Sequence, residues 1–417
     1  MAAYDEIAKA DYWPGFAPES IPLAVYDGDN TYLLRHPSPP EGFTAVGDRQ
    51  GLWVFTGQHE LVRANFSVEI GGVLTAALLA GSDTAAAPRT LAATLIHEAF
   101  HVYQRREHPD WQANEVELFT YPVEDVDLLA FRRLETEALR RALKAPDVGE
   151  RACWARRAVE LREERYVRTT EGAVAYERGT ELTEGTARYV QSRVSDTEPE
   201  LLTDRGFGAE EVRARAYAVG SAIAILLDDM APDWKAALER GAASSLDGLL
   251  AGAAAEHDGS DCQFTADELT TARSQAGADV AALVADLQAL RREFMTAPGH
   301  RLVIEAEGDA VLWPEAFDPS NLKRLTSMEI LHTRWLKLSN SDSRLEVLDA
   351  SALSEGVGPH PIFNGVRRVT LTGLEGEPVV SDSAGALLVE ALGLRGMFRA
   401  AEIERSGTTI NIRLGPS

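Results

Sequence analysis

Two histidines and a glutamate in the segment "TLIHEAFHVYQ", residues 94–104, have the spacing of a metal site. His97 and His101 are four residues apart, so on a helix their side chains lie on one face about one turn apart. Both imidazoles can bind one ion, and zinc accepts neutral histidine nitrogens in a tetrahedral shell that a third protein ligand and a water complete. Glu98 could reach that water as a general base, which is what the His-Glu-x-x-His motif of zinc peptidases requires.

The alternative for this segment is an ordinary amphipathic helix whose polar side chains face solvent. Apolar residues such as Leu95, Ile96 and Phe100 flank the histidines on both sides, so we expect a helix that is buried nearly all round. Buried polar groups need partners, and one metal ion would supply a partner to several of them at once. The pattern therefore favours metal ligands.

A second segment, "YERGTELTEGTARYV" at residues 176–190, offers carboxylates for a third ligand. Its "TEGTA" resembles the second ligand motif of the gluzincin metallopeptidases, in which a helix bearing Glu-Gly-x-Ala or a close variant supplies a glutamate to zinc. The resemblance implies that Glu184 is the third ligand. The small residues Gly185 and Ala187 would let this helix approach the histidine helix closely. Glu181, one turn earlier, is a competing ligand or an acceptor for a ligand histidine.

The chain is more broadly similar to a group of bacterial gluzincin-like proteins that have an HExxH helix, a long helical insertion and a "YERxxExxEGxARYV" helix. Their later "YxxGxAxxxLLDxxAPxWK" helix corresponds here to "YAVGSAIAILLDDMAPDWK", residues 217–235. The similarity covers about residues 45–240 and implies a zinc site and its hydrolytic chemistry, but no substrate. Our first hypothesis is a zinc-dependent peptidase that acts on a peptide or protein. Glu184 follows His101 by 83 residues, where short-spacer families need about twenty, so we expect an inserted helical subdomain.

A hydrolase of this kind also needs a donor that stabilises the oxyanion opposite the metal. Glu98 would accept a proton from the zinc-bound water as the hydroxide attacks a carbonyl. Tyr217 is the candidate donor, since it opens the helix after the ligand helix and a glycine one turn later would permit close packing. Tyr189 and His257 are alternatives that rank below it, and Tyr189 is turned about 140° around the helix from Glu184.

Two other functions are compatible with the motif. In a binding or structural protein, zinc would only tie helices together, which requires a closed fourth ligand. No nearby Cys or His offers one at suitable spacing, although His257 could come from elsewhere in the chain. An amidase or esterase would use the same zinc chemistry on a non-peptide substrate. The Pro-rich segment before about residue 45 could hold the site shut. Asn65 could belong to an edge strand that pairs with extended peptide, although an ordinary sheet residue is the expectation.

The elements that must position these residues predict an α+β protein. A zincin-like, mainly helical catalytic domain with a small N-terminal antiparallel sheet is expected over residues 1–298, followed by an all-β domain, sandwich- or barrel-like, over 299–417. The catalytic domain divides into a wrapping segment with short strands (1–50), the small sheet (51–82) and helices (88–297). The β domain is expected to position substrate or a protein partner, which the sequence does not identify.

Composition limits the partners and the compartment. The net charge of −24 over 417 residues argues against nucleic acid or an anionic membrane as main partner. The first residues lack the features of a signal peptide and no run reaches about 18 apolar residues, so we predict a cytoplasmic protein. Cys153 and Cys262 are far apart and are expected to be buried thiols. The stretches "RRLETEALRR" and "ELREERYVR" are predicted to be solvated helix faces with i,i+4 ion pairs.

Overall fold

The computed structural model shows an α+β protein with a C-terminal all-β region, as predicted. Its described residues are all except 1, 48, 50, 81–87, 196–200, 202–206, 258–260, 318–320, 384 and 416–417. Two compact units are present: Met1–Glu115 with Asp125–Gly277, and Val116–Glu124 with Ala278–Ser417. The first unit carries every residue predicted to take part in the site.

A six-stranded sheet in the first unit has the spatial order β3-β4-β2-β1-β6-β5. Its strands are β1 (Leu23–Tyr26), β2 (Asn30–Leu34), β3 (Thr44–Ala45), β4 (Leu52–Thr56), β5 (Phe66–Ile70) and β6 (Val73–Leu79). Neighbours are antiparallel except β1 and β6, which are parallel. The sheet is therefore mixed and not antiparallel as predicted, because β1 from the N-terminal segment inserts between β2 and β6. Residues 81 and 82, which were predicted to end the sheet, lie outside the described residues.

Helices make up most of the rest of the first unit, and the last of them continues into the second unit. They are α1 (Ala2–Ile7), α2 (Pro88–Glu107), α3 (Val126–Lys144), α4 (Val148–Tyr166), α5 (Glu171–Thr180), α6 (Thr186–Ser195), α7 (Val212–Met230), α8 (Trp234–Glu239), α9 (Leu246–Ala255) and α10 (Ala266–Thr296). A π-helical turn, Glu181–Gly185, joins α5 to α6. Short 3₁₀ turns occur at Pro18–Ser20, Pro109–Trp111, Glu115–Thr120 and Gly308–Ala310.

Local signals in the sequence fix where the central helices begin. The side chains of Asp125, Asp147 and Thr170 each accept a hydrogen bond from a backbone N–H in the first turn of α3, α4 and α5. The last helix, α10, spans the division between the two units. Within the described ranges, no helix combines the length and the apolar composition that crossing a bilayer requires.

The helix that carries both histidines, α2, lies in the core of the first unit. Its side chains Ile96 and Phe100 are fully buried and share a core with residues of β1 and β6. Trp13 and Phe16 from the N-terminal segment lie edge-on against Phe100, with ring centroids 5.2 and 5.1 Å away. The N-terminal segment is thus a structural part of the core that supports α2.

Inner positions of the stretches predicted to be solvated helix faces belong to a buried ion network, so that prediction was wrong for them. Its members are Glu135, Arg162, Arg165, Glu177, Glu181 and Arg215, each at most 3% exposed. Periodicity identifies a charged stripe, but it cannot show whether that stripe faces solvent or an opposite charge on a neighbouring helix. Farther along α3, Arg141 forms a predicted i,i+4 pair with Glu137, and Arg140 pairs with the same glutamate at i,i+3.

Cys153 and Cys262 form a disulfide, with Cα atoms 5.6 Å apart, so the prediction of two thiols was wrong. Their 109-residue separation in sequence does not limit their distance in space, because the chain returns to α4. Arg156 on α4 donates 2.8 Å hydrogen bonds to the carbonyl oxygens of Ala254 and His257, which ties the end of α9 beside Cys153.

The C-terminal region consists of two sheets. They have the orders β18-β19-β7-β14-β13-β10-β9 and β15-β16-β17-β12-β11-β8. The strands are β7 (His300–Ala306), β8 (Trp313–Phe317), β9 (Leu322–Arg324), β10 (Glu329–His332), β11 (Trp335–Ser339), β12 (Ser343–Leu348), β13 (Ala352–Gly356), β14 (Val366–Leu374), β15 (Val379–Ser383), β16 (Ala386–Ala391), β17 (Leu394–Arg399), β18 (Ala401–Ser406) and β19 (Thr409–Leu414). Both sheets contribute to one hydrophobic core, as in a β-sandwich.

Candidate metal centre

Three side chains predicted to be metal ligands converge at one point in the first unit. His97 and His101 extend from α2, and Glu184 comes from the π-helical turn. The Nε2 atoms of the histidines are 3.1 Å apart, and Glu184 Oε2 lies 3.1 Å from His101 Nε2 and 3.7 Å from His97 Nε2. A tetrahedral zinc ion with bonds of about 2.0–2.1 Å keeps its ligand atoms about 3.3 Å apart. The three distances bracket this value, so the arrangement fits zinc.

Gln104, one turn beyond His101 on α2, fixes the imidazole of His101. Its amide nitrogen donates to the carbonyl oxygens of Leu182 and Thr183, at 3.2 and 2.8 Å, and carbonyls can only accept. The amide oxygen must therefore face His101, where it accepts from Nδ1 at 2.8 Å. A neutral His101 with its proton on Nδ1 directs the lone pair of Nε2 at the metal position.

Replacing Gln104 by Met is expected to weaken zinc binding about 10- to 100-fold, because loss of the acceptor frees the ring and the tautomer of His101. Competition with a chromophoric chelator would measure the dissociation constant. Gln191→Met is the matched control, since Gln191 also reaches α2 but contacts Thr94 and not a histidine. Equal dissociation constants for the two variants would contradict this role of Gln104.

Burial and neighbouring charges shift the pKa of each of the three candidate ligands. Burial lowers the pKa of His97, whose Nδ1 has no hydrogen-bond partner in the described part of the chain. Burial also acts to lower the pKa of His101, but the hydrogen bond and charge of Glu184 outweigh it and raise the value. The pKa of Glu184 is lowered, because hydrogen bonds with His101 and His97 outweigh burial. Glu184 is therefore a carboxylate, the form that binds metal.

Close contact between the π-helical turn and α7 positions Glu184. A Cβ added to Gly185 would lie 2.6 Å from Gly220 Cα, and one added to Gly220 would lie 2.7 Å from the carbonyl oxygen of Glu181. Both positions thus require glycine. Gly185 therefore serves the approach to α7, whereas we expected it to serve the approach to the histidine helix. The other carboxylate oxygen of Glu184, Oε1, accepts from Arg213 Nη2 on α7 at 3.1 Å.

Glu181 takes neither of the roles predicted for it. Its two oxygens accept hydrogen bonds of 2.7 and 2.6 Å from Arg162, so the side chain belongs to the buried ion network. The π-helical turn explains the difference, because it changes the direction in which side chains leave the helix between Glu181 and Glu184.

Glu98, the predicted base, lines the same cavity as the three candidate ligands. Its side chain is 6% exposed, and the cavity has a volume of about 460 Å³. Burial raises the pKa of Glu98 to about 7. A carboxylate with a pKa near neutrality can both accept and return a proton at neutral pH.

Of the three candidate oxyanion donors, Tyr217 is the one that lines this cavity. Its hydroxyl accepts from Arg213 Nη2 at 3.0 Å. The hydroxyl of Tyr189 instead donates to Asp228 at 2.6 Å, and its ring lies 5.7 Å from that of Trp234. His257 is held at the end of α9, where its carbonyl oxygen accepts from Arg156.

The edge of the six-stranded sheet borders the cavity. Asn65, Phe66 and Ser67 line it, and Asn65 Oδ1 accepts a 2.9 Å hydrogen bond from the N–H of Leu79, so Asn65 precedes β5 and holds it to β6. No described residue before position 45 contributes to the lining. The lining therefore offers no support for a site that the N-terminal segment holds shut.

Gln104, Arg105 and Arg213 also face the cavity, and none of them belongs to the motifs from which the site was predicted. The spacing of Gln104 and Arg105 after His101 on one helix could have indicated them. Comparisons with protein-family models, curated proteins and solved structures found no match to this chain.

Proposed function

We propose that this chain is a zinc-dependent peptidase of gluzincin type with a zincin-like catalytic domain. His97, His101 and Glu184 bind zinc, and Glu98 is the general base. The observation that supports this most strongly is the convergence of three ligand atoms at the spacing of tetrahedral zinc beside a buried carboxylate.

The side chains around the site have separate tasks in this reaction. Zinc, when bound, supplies a polarised water and positive charge near the developing oxyanion. Glu98 takes a proton from the attacking water and returns it to the leaving amine. The Tyr217 hydroxyl, oriented by Arg213, donates to the oxygen on which negative charge develops. Gln104 keeps His101 in the tautomer that a ligand needs.

The number of candidate ligands supports an enzyme over a purely structural zinc protein. Among the described residues, the candidate metal group contains three side chains and no fourth His, Cys, Asp or Glu. A structural zinc site is closed by four protein ligands, whereas a catalytic one keeps a position for water. The cavity of about 460 Å³ gives substrate access to that position.

Strand β5 supports a peptide as the substrate. It is the edge strand beside the cavity, and Ala76 N–H on β6 bonds the carbonyl oxygen of Pro22 on the other side. Ser67, which lies opposite Ala76, therefore directs its own main-chain groups away from the sheet. An edge of this kind can pair with an extended chain, except at the Ser67 carbonyl oxygen, which already accepts from Arg105 Nη1 at 2.7 Å.

Incubation of the zinc-loaded protein with a mixture of unstructured peptides tests the proposal, with small amides and esters assayed beside it. We expect peptide cleavage that stops on removal of zinc by a chelator and returns with added zinc. Cleavage of the small amides or esters alone would replace the peptidase by an amidase or esterase. No cleavage by the zinc-loaded protein would favour the structural role.

The predicted cytoplasmic location stays a prediction. The Cys153–Cys262 bond weighs against it, because disulfides are rare in that compartment. The expected absence of nucleic-acid and membrane partners rests on the net charge. A role for the C-terminal β region in positioning substrate or a protein partner is likewise a prediction.

A further inference from the structure

Arg105 continues the line of cavity-facing side chains on α2. His97, His101 and Arg105 follow one another at intervals of four residues, so they lie along one face of the helix. Arg105 lines the cavity and is exposed to it. Among the described residues, it forms no ion pair with a carboxylate. Arg213, the other arginine of the cavity, is already paired with Glu115 at 2.8 Å and with Glu184 at 3.1 Å.

Arg105 also donates a hydrogen bond to a main-chain acceptor of the edge strand β5. Its Nη1 donates to the carbonyl oxygen of Ser67 at 2.7 Å and to Ser67 Oγ at 3.1 Å. This carbonyl points out of the sheet, so an extended chain that paired with β5 would otherwise use it. Pairing is therefore interrupted at Ser67, while the other guanidinium nitrogens of Arg105 stay available to a ligand.

The charges of the lining favour an anionic group at this end of the cavity. The carboxylates Glu98 and Glu184 are balanced by the guanidinium groups of Arg105 and Arg213. A divalent ion at the histidines would leave the lining with a net positive charge. Because Arg213 already pairs with two carboxylates, Arg105 carries the positive charge of the lining that has no carboxylate partner among the described residues.

We propose that Arg105 binds the C-terminal carboxylate of the peptide, which makes the site that of a carboxypeptidase. The inference rests on the proposed peptidase function. Four residues of α-helix rise about 6 Å, which is about two residues of extended peptide. The bond hydrolysed therefore lies one or two residues from the C-terminus. In hydrolysis the C–N bond of this peptide group breaks and the water oxygen bonds to the carbonyl carbon. The released amine takes the proton.

Binding to the zinc-loaded Glu98→Gln protein tests this without turnover. Two peptides of equal sequence, one with a free C-terminal carboxylate and one with a C-terminal amide, are compared by calorimetry. We expect the amide to bind about 10- to 100-fold more weakly, the range for a hydrogen bond to a charged group. Adding Arg105→Gln should weaken the acid peptide to the level of the amide and leave the amide unchanged.

Arg106→Gln is the matched control. Arg106 is the next residue on α2, is also exposed and also donates to a carbonyl oxygen of the sheet, that of Leu74, but it does not line the cavity. It should not change either affinity. Equal binding of acid and amide, or equal losses from Arg105→Gln and Arg106→Gln, would overturn the role of Arg105. A zinc-loaded protein that binds and cleaves neither peptide would remove the peptidase proposal itself.

Discussion

The Glu98→Gln variant is expected to hydrolyse peptides about 10²- to 10⁴-fold more slowly than the wild type and to bind zinc equally well. Glu98 is buried and lines the cavity with the three candidate ligands, but it does not belong to the group of side chains that could hold a metal ion. Glutamine keeps the size of the side chain and cannot take a proton. Steady-state rates on one peptide, with zinc content measured on the same preparations, give the comparison.

Glu107→Gln serves as the control for Glu98→Gln. It lies at the end of the same helix, is exposed and is not part of the cavity lining. Its rate should equal that of the wild type. An undiminished rate in Glu98→Gln would remove Glu98 from the mechanism, and loss of zinc from that variant would assign the residue to metal binding.

The Glu135→Gln variant is expected to lower the free energy of unfolding by about 3–5 kcal/mol, as for a buried ion pair that loses one partner. Glu135 is fully buried and contacts three arginines: Arg162 at 2.7 Å, Arg165 at 2.8 Å and Arg215 at 2.8 Å. Loss of this carboxylate would leave buried positive charge without compensation. Chemical denaturation of both proteins, with the disulfide intact, would measure the difference.

Glu137→Gln is the control, since it lies two residues along the same helix and forms partly exposed pairs with Arg140 and Arg141. Its effect should stay below about 1 kcal/mol. A midpoint for Glu135→Gln as high as that of Glu137→Gln would show that the ion network contributes little to stability.

The effect of Glu135→Gln should depend on pH. Burial acts to raise the pKa of Glu135, but the charges of Arg162, Arg165 and Arg215 outweigh it and lower the value. A lowered folded-state pKa gives stability that is present above the unfolded pKa and is lost as the pH falls through the folded pKa. The difference in the free energy of unfolding between wild type and variant should therefore be largest at neutral pH and decrease only in strong acid.

Features of the fold and of the site that depend only on residues close together in the sequence could be predicted. The helix Val126–Lys144 lies within the stretch 88–297 that was predicted to be helical, because its apolar period lies within it and Asp125, directly before it, caps its first turn. The four-residue spacing of His97 and His101 needs only one turn of helix to bring their rings together. Glu184 followed from the resemblance of "TEGTA" to a ligand motif and not from spacing.

Features that depend on neighbouring elements were missed. Gly185 meets Gly220 across two helices, and no pattern within either helix identifies the other. Glu181 and Glu184 differ in role because the π-helical turn that contains them changes the direction in which their side chains leave the helix. No repeat in the sequence predicts such a turn. Burial of Glu135 depends on arginines that come from other helices.

Zinc stoichiometry of the purified protein tests the central claim most directly, with Glu184→Ala and the control Glu171→Ala beside it. Glu171 is exposed at the start of α5, in the same stretch of helix as Glu184. We predict about one zinc per chain in the wild type and in Glu171→Ala, as for one site with three protein ligands, and loss or weakening of zinc in Glu184→Ala. Wild-type protein that stays free of zinc after incubation with excess metal would contradict the metal centre and the enzymatic function that rests on it.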